Sequence, residues 1–201
     1  MNNFLIKSSA LVGAAILISN LHADEEGPVY QLENYLVSVG PIARPLSDYA
    51  SPVTSLDGDA IQRSNAGTLG QLLEGQPGVA STSFGGGASR PIIRGFDGPR
   101  VRILEAGLGS QDVSETSPDH AVAVEPLLTD RVEVLRGPST LLYGSSAIGG
   151  VVNVIGKEIP RQPVDPKGYE GALESRYDTV SDGETYLGYG TVGGENWAVR
   201  V

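Results

Sequence analysis

The chain has 201 residues, of which 14 are basic and 24 acidic, and it carries a formal net charge of −10 and no cysteine. This length is enough for one or two domains. The acidic balance disfavours binding to nucleic acid, whose phosphates require a basic surface. The absence of cysteine excludes disulfides, cysteine-ligated metals and a thiol nucleophile.

Residues 1–23 have the pattern of a secretory signal peptide. Lys7 precedes the apolar run 10–18, and Ala23 is a small residue placed just before an acidic sequence. The alternative is a membrane anchor, but a spanning helix needs about 20 apolar residues and this run is much shorter. Removal of the segment would leave 13 basic and 24 acidic residues, a net charge of −11.

Residues 24–52 are rich in proline, serine and acidic side chains and show no sustained hydrophobic period. This composition predicts an extended, mobile arm. Within the arm, the run ENYLVSVG (33–40) is prone to form a strand. An alternative interpretation makes this run the first strand of the domain that follows.

Residues 53–156 are predicted to form a compact α+β domain. Asp57 is expected to cap a short helical turn, and Thr68 with Gln71 forms a capping box before a second helix. Pro138 is expected to start a one-turn helix, because proline is tolerated at the first helical position. Short strands are predicted near 91–94, 101–105 and 131–136, where Val132 and Val134 face opposite to Arg131 and Glu133.

Residues 157–168 form a proline-rich linker without core residues, and residues 169–201 have the pattern of antiparallel strands. Asp182 and Gly183 give a strong hairpin-turn signal between two of these strands. Because two or three strands are marginally stable alone, we expect the sequence to be a fragment of a longer chain that continues the sheet.

An enzymatic function is not expected. The sequence contains no Ser/His/Asp order, phosphate-binding loop or paired acidic site in a suitable context. The glycine-rich stretch FGGGAS (84–89) lacks the lysine and the helix that a phosphate loop needs.

Several of these segments resemble the TonB-dependent outer-membrane receptors of Gram-negative bacteria, over about residues 30–201. ENYLVSVG stands where the family has its TonB box. PVTSLDGDAIQ and TLGQLLEGQPGV are similar to the opening plug segments, and PIIRGFDGPRVRILEAG is similar to the central plug signature. The stretch DRVEVLRGPSTLLYGSSAIGGVVNVI matches the end of the plug most specifically.

The resemblance implies an α+β plug domain, with a small mixed sheet and short helices, over residues 53–156. Residues 169–201 would be the first antiparallel strands of a transmembrane β-barrel, incomplete in this sequence. The protein would reside in the outer membrane, with the plug inside the barrel, and would need no cofactor. Its partners would be the energy-coupling protein TonB, which binds the box on the periplasmic side, and outer-membrane lipid. The implied box comprises Glu33, Asn34, Tyr35, Leu36, Val37, Ser38 and Val39.

The resemblance also assigns structural roles within the plug. Glycines near the end of the plug are expected to allow close approach of the barrel wall. Arg136 is expected to hold carboxylates of that wall through its forked donors. The residues assigned to plug structure are Arg94, Gly95, Arg136, Gly137, Pro138, Tyr143, Gly144, Gly149 and Gly150.

The loop GSQDVSETSPDHAVAVEP (109–126) is the candidate cargo site. Asp119 and His120 are a suitable partial ligand set for zinc or another divalent ion, and SPDHAV resembles the same loop in the zinc-uptake branch of the family. Alternatively, the pair forms a local turn in which Asp119 caps backbone amides. The cargo could also be a siderophore, with Arg90 and Arg94 serving an anionic ferric chelate. If the chain ended at residue 201, it could be a soluble periplasmic binding module.

Overall fold

A computed structural model describes residues 36–37, 44–45, 48, 52–160, 164, 168–180, 182–195 and 197–201. The predicted signal peptide lies outside the described residues, as do most of the arm and most of the linker. Of the predicted TonB box, only Leu36 and Val37 are described. No helix in the described ranges is long and apolar enough to cross a membrane.

Two short strands precede residues 53–156, the predicted plug domain. Strand β1 (Leu36–Val37) pairs antiparallel with β2 (Arg44–Pro45), so that Leu36 lies opposite Pro45 and Val37 opposite Arg44. The described part of the predicted TonB box therefore has strand conformation and a strand partner within its own chain.

A five-stranded mixed sheet forms the centre of the plug, as the predicted fold class requires. Its strands follow the order β3-β8-β9-β6-β7. Only β6 and β9 pair in parallel; the other neighbours are antiparallel. Strands β4 and β5 form a separate antiparallel pair. The bounds are β3 (Val53–Asp57), β4 (Val79–Ser81), β5 (Pro91–Ile93), β6 (Val101–Glu105), β7 (Leu108–Gly109), β8 (Thr129–Leu135) and β9 (Gly150–Gly156).

Two helices, α1 (Gly58–Ser64) and α2 (Leu69–Leu73), begin at the predicted caps. Asp57 Oδ1 accepts the Ala60 amide at 2.7 Å. Thr68 Oγ1 accepts the Gln71 amide at 3.4 Å, whereas Gln71 Oε1 accepts the amide of Gly67, one residue earlier than a capping box requires. The two helix starts are confirmed, with the return bond shifted by one residue.

The sheet is buried on both faces. One face carries Val132, Val134 and Val152, which join the helix residues Leu69 and Leu73 in the main core. Burial of one such leucine contributes about 1.5–3 kcal/mol. The opposite face forms a smaller cluster of Leu104, Leu135, Ala147 and Val151, against which Val53 and Tyr143 pack.

Two 3-10 helices, Pro138–Tyr143 and Ser145–Ala147, connect β8 to β9. Pro138 occupies the start of the first, as predicted. Gly137 and Gly144, which flank it, have φ values of 93° and 90°. These values lie in a region that favours glycine, so both residues are needed for the backbone path.

Strands β10 (Tyr169–Asp178), β11 (Gly183–Gly193) and β12 (Ala198–Arg200) form a three-stranded antiparallel sheet. Asp182 has a φ of 50° in the predicted hairpin turn. Side chains alternate strictly between the two faces. The exposed face carries apolar groups, among them Leu173, Tyr177, Tyr186, Val192 and Val199, and the shielded face carries Glu174, Arg176, Tyr189, Thr191 and Arg200.

Candidate functional site

The loop that joins β7 to β8, residues 110–128, contains the candidate cargo residues. Asp112 joins the two ends of the loop tip through hydrogen bonds to backbone amides. One carboxylate oxygen of Asp112 accepts the Ser114 amide at 2.9 Å, and the other accepts the Ala123 amide at 2.6 Å. A single side chain therefore joins two points that lie nine residues apart in the chain.

Arg90 is the second anchor of this loop. Its guanidinium donates to the Ser114 carbonyl and to Asp97 Oδ2, both at 2.7 Å, and the residue is only 8% exposed. The guanidinium is therefore engaged inside the plug, which disfavours its suggested contact with an anionic chelate. Arg94, in contrast, is exposed and has a φ of 53°.

The loop tip carries a short chain of polar side chains. Asp119 Oδ1 accepts the Ser117 hydroxyl and lies 2.9 Å from His120 Nδ1. The hydrogen bonds from Ser117 and His120 lower the pKa of Asp119, so its carboxylate stays ionised in mildly acidic solution. The side chains of His120 and Asp119 are 53% and 48% exposed.

This arrangement determines which imidazole nitrogen faces outward. When Nδ1 carries the proton and donates to Asp119, Nε2 keeps the lone pair that binds a metal. Nε2 has no hydrogen-bond partner among the residues that the structure describes. The tip can therefore offer one nitrogen ligand in a defined orientation.

The described residues do not complete a metal site. No group of three or more histidine, aspartate or glutamate side chains in the described ranges could hold an ion. Both oxygens of Asp112 are occupied by amides, and Glu115 lies 3.7 Å from Arg102. A metal bound at His120 would need ligands from outside these ranges.

The structure brings Asp119 and His120 together. It also shows that two different aspartates, Asp112 and Asp119, cap backbone amides and bind the imidazole, a division that the sequence did not predict. The alternative interpretation gave Asp119 the capping of backbone amides. The predicted local turn is present, since the His120 amide donates to the Ser117 carbonyl at 3.4 Å. The amides of Ser114 and Ala123 are capped by Asp112, whereas the Asp119 side chain accepts bonds from a hydroxyl group and an imidazole. No sequence pattern distinguished these two aspartates, because their difference depends on the position of Ala123 across the loop.

Arg136 lies at the start of the plug, where the arm enters it. Its guanidinium donates to the carbonyl of Pro77 and to the hydroxyl of Thr54, and its amide donates to the Pro52 carbonyl at 3.1 Å. Burial lowers the pKa of Arg136, and the charge of Arg94 lowers it further. Within the described part of the chain, no carboxylate forms an ion pair with either arginine.

The glycines at the start of β9, Gly149 just before it and Gly150 as its first residue, allow close packing inside the plug. A Cβ on Gly149 would lie 2.7 Å from Phe96 Cβ and 3.0 Å from the Arg100 carbonyl oxygen, and one on Gly150 would lie 2.9 Å from Ile93 Cδ1. These contacts lie within the plug, and close approach of a barrel wall at the same glycines stays a prediction. Gly95, at the central signature, is exposed and has a φ of 83°.

The shielded face of the β10–β12 sheet contacts the plug through charged groups that were not predicted as functional residues. Arg176 donates to the Ala66 carbonyl at 2.9 Å and to Glu125 Oε1 at 3.1 Å. Lys157 Nζ lies 3.4 Å from Glu174. The available signal was the alternation along GALESRYD, which places Glu174, Arg176 and Asp178 on one face of a strand.

Comparison with known proteins identifies the class to which this fold belongs. The family described as TonB-dependent Receptor Plug Domain matches residues 45–151. The chain belongs to this family of TonB-dependent receptors.

Individual relatives extend the match. The chain is 32% identical over 150 residues to the vitamin B12 transporter BtuB of Vibrio vulnificus, covering 73% of this chain and 24% of the transporter. The siderophore receptor PirA of Pseudomonas aeruginosa is 28% identical, with a TM-score of 0.50 over 76% of this chain and 28% of PirA. A ferric enterobactin receptor mutant (PfeA) from the same organism, at 23% identity, has a TM-score of 0.54 over 74% of this chain and 23% of the receptor.

The chain thus spans about a quarter of the length of these relatives. They are transporters and receptors, which agrees with the prediction that the chain is not an enzyme. Their names refer to vitamin B12, siderophores and ferric enterobactin, so they do not support assignment to the zinc-uptake branch, which stays a prediction.

Proposed function

We propose that this chain is the N-terminal part of an outer-membrane receptor that imports a scarce nutrient with energy supplied through TonB. The observation that carries the proposal is the mixed-sheet fold of residues 53–156, together with the match of residues 45–151 to the TonB-dependent receptor plug family. In this assignment, residues 1–23 are a signal peptide, residues 24–52 a mobile arm, residues 157–168 a linker and residues 169–201 the first barrel strands.

The β10–β12 sheet supports membrane residence for the complete receptor. Its exposed face is mostly apolar, with Leu173 at 92% and Tyr186 at 75% exposure, and includes Ser175 and Glu184; its other face carries charged groups such as Glu174 and Arg176. Strands of outer-membrane barrels alternate in this way, with apolar side chains toward lipid and polar side chains toward the interior. We assign the apolar face to outer-membrane lipid.

The arm is the proposed contact with TonB. Leu36 and Val37 have strand conformation and their only described pairing is with Arg44 and Pro45. A two-residue ladder is short, so a second strand can add to it or replace it with little loss of hydrogen bonding. We assign Glu33–Val39 to strand addition by the C-terminal domain of TonB on the periplasmic side.

The proposed cargo is a divalent metal ion, with zinc the best fit to the loop tip. His120 supplies Nε2 as a direct ligand, and Asp119 orients the ring by accepting from Nδ1. Because Nδ1 and Nε2 lie on opposite sides of the ring, this conformation gives direct contact to His120 and a supporting role to Asp119. The remaining ligands would come from parts of the receptor outside the described residues.

A second candidate cargo is a ferric chelate or another large organic nutrient. It is favoured by the relatives, since the 28%-identical protein is a siderophore receptor and the 32%-identical protein transports vitamin B12. On that alternative, the exposed loop tip would contact the organic ligand rather than a bare ion.

Uptake of labelled zinc by cells that express the complete receptor tests the metal assignment. We expect His120→Ala to reduce uptake and zinc affinity by about tenfold or more, because one of few ligands is lost. Metal ligands must be deprotonated to bind, so zinc affinity of the unmodified receptor should fall with decreasing pH, and the variant should lose part of this dependence.

The Thr116→Ala variant is the matched control, because it changes an exposed residue of the same tip whose hydroxyl donates to the Val113 carbonyl and not to Asp119 or His120. Ferric chelate and vitamin B12 should be supplied in parallel. Zinc uptake unchanged by His120→Ala, together with growth supported only by an iron chelate or only by vitamin B12, would replace zinc by the second candidate.

A further inference from the structure

Residues 115–121 form the exposed tip of the β7–β8 loop, between two buried residues. Ser114 is 1% exposed and Val122, which belongs to the main core, is 5% exposed. The chain therefore leaves the plug after Ser114 and returns at Val122, so the tip can move only as far as these two points allow.

Asp112 closes this segment at its base. Its two carboxylate oxygens accept the amides of Ser114 and Ala123, the first on the outgoing side of the tip and the second on the returning side. Arg90 holds the outgoing side as well, through the Ser114 carbonyl. The returning side has no comparable charged anchor until Glu125, which Arg176 holds at 3.1 Å.

A carboxylate is the side chain that suits this position. Both amides point their hydrogens at Asp112, so the group between them must accept twice and donate nothing. An asparagine of the same size has one acceptor oxygen and an NH₂ group that can only donate. Replacement by asparagine therefore breaks one of the two bonds and places two donors against each other.

We propose that Asp112 is the positioning residue for His120: it closes the loop base and thereby holds the tip in the conformation that presents the imidazole to cargo. The proposal rests on the proposed cargo contact at His120, because a fixed tip affects binding only if His120 contacts the cargo. Bonds to a charged acceptor are stronger than neutral ones, so Asp112 joins the two sides of the loop base firmly, and Arg90 adds to this on the outgoing side.

Hydrogen exchange of the complete receptor tests the loop base without any cargo. In Asp112→Asn, amide exchange in peptides that cover 113–123 should accelerate by about tenfold, the factor that corresponds to one lost hydrogen bond to a charged group. Glu115→Gln is the matched control, since it removes one negative charge from the same loop and loses only a 3.7 Å pair with Arg102. Exchange in β8 and β9 should stay unchanged in both variants, which verifies folding.

Zinc affinity of the same variants tests the consequence for binding. If the tip adopts its binding conformation only about one-tenth of the time in Asp112→Asn, zinc affinity should fall by about tenfold while Glu115→Gln binds as the unmodified receptor does. Unchanged exchange in Asp112→Asn would overturn the proposal, as would faster exchange with full zinc affinity. A receptor that binds no zinc would refute the cargo assignment instead, and the exchange result alone would then decide the role of Asp112.

Discussion

Substitution of Gly149 by alanine measures how tightly the end of the plug is packed. The added Cβ would lie 2.7 Å from Phe96 Cβ and 3.0 Å from the Arg100 carbonyl oxygen. Neither neighbour can move away from the added Cβ, because Phe96 Cβ is bonded directly to the backbone and the Arg100 oxygen accepts the Gly149 amide at 2.9 Å. Overpacking costs about 1–3 kcal/mol, and two rigid neighbours place this change at about 2–3 kcal/mol.

Gly75→Ala provides the control, because a Cβ at Gly75 would have no atom within 4 Å. Its effect on the free energy of unfolding should stay within about 0.5 kcal/mol. Urea unfolding of residues 24–201, followed by circular dichroism, should show a midpoint about 1 M lower for Gly149→Ala than for Gly75→Ala. Equal midpoints for the two variants would show that the plug can relax around Gly149 and would refute the packing argument.

Two further predictions concern the connections of the plug. Val37→Pro removes a backbone donor from the predicted TonB box, so uptake by the complete receptor should be lost while cargo binding persists; normal uptake would show that the box is misplaced. Arg176→Met removes the guanidinium that donates to Ala66 and Glu125. Amide exchange near both residues should therefore accelerate by about tenfold in the complete receptor. The control variant, Arg63→Met, changes an exposed arginine and should leave the exchange rates unchanged. Equal amide exchange rates in the two arginine variants would show that the Arg176 contacts do not stabilise the segments around Ala66 and Glu125.

Local features of the plug could be predicted because short-range chemistry determines them. Asp57 and Thr68 accept amides three residues ahead, and this geometry follows from residue type and spacing alone. The Asp182 turn has the same origin, since aspartate tolerates the positive φ that a tight hairpin needs.

Features that depend on distant parts of the chain were not predictable. Glu133 alternates with valines, yet it is fully buried and accepts a bond from Asn153 at 3.2 Å. Its environment depends on the pairing of β9 with β8 and on burial of the second face of the sheet, and the local sequence around Glu133 predicts neither. The role of Asp112 also depends on a distant partner, because the Ala123 amide reaches it only once the loop has folded back.

The position of β9 in the sheet sets an order of events during synthesis. β9 is the last plug strand in the chain, yet it lies at the centre of the sheet, and β6 pairs with it across roughly 50 residues of sequence. Because β8 and β6 both use β9 as a neighbour, the central sheet cannot assemble while Gly150–Gly156 is still missing. A chain that emerges from its N-terminus therefore presents some 150 residues without their central strand, including most of the apolar residues that later form the core. Such a nascent chain needs protection from aggregation until its last plug strand arrives.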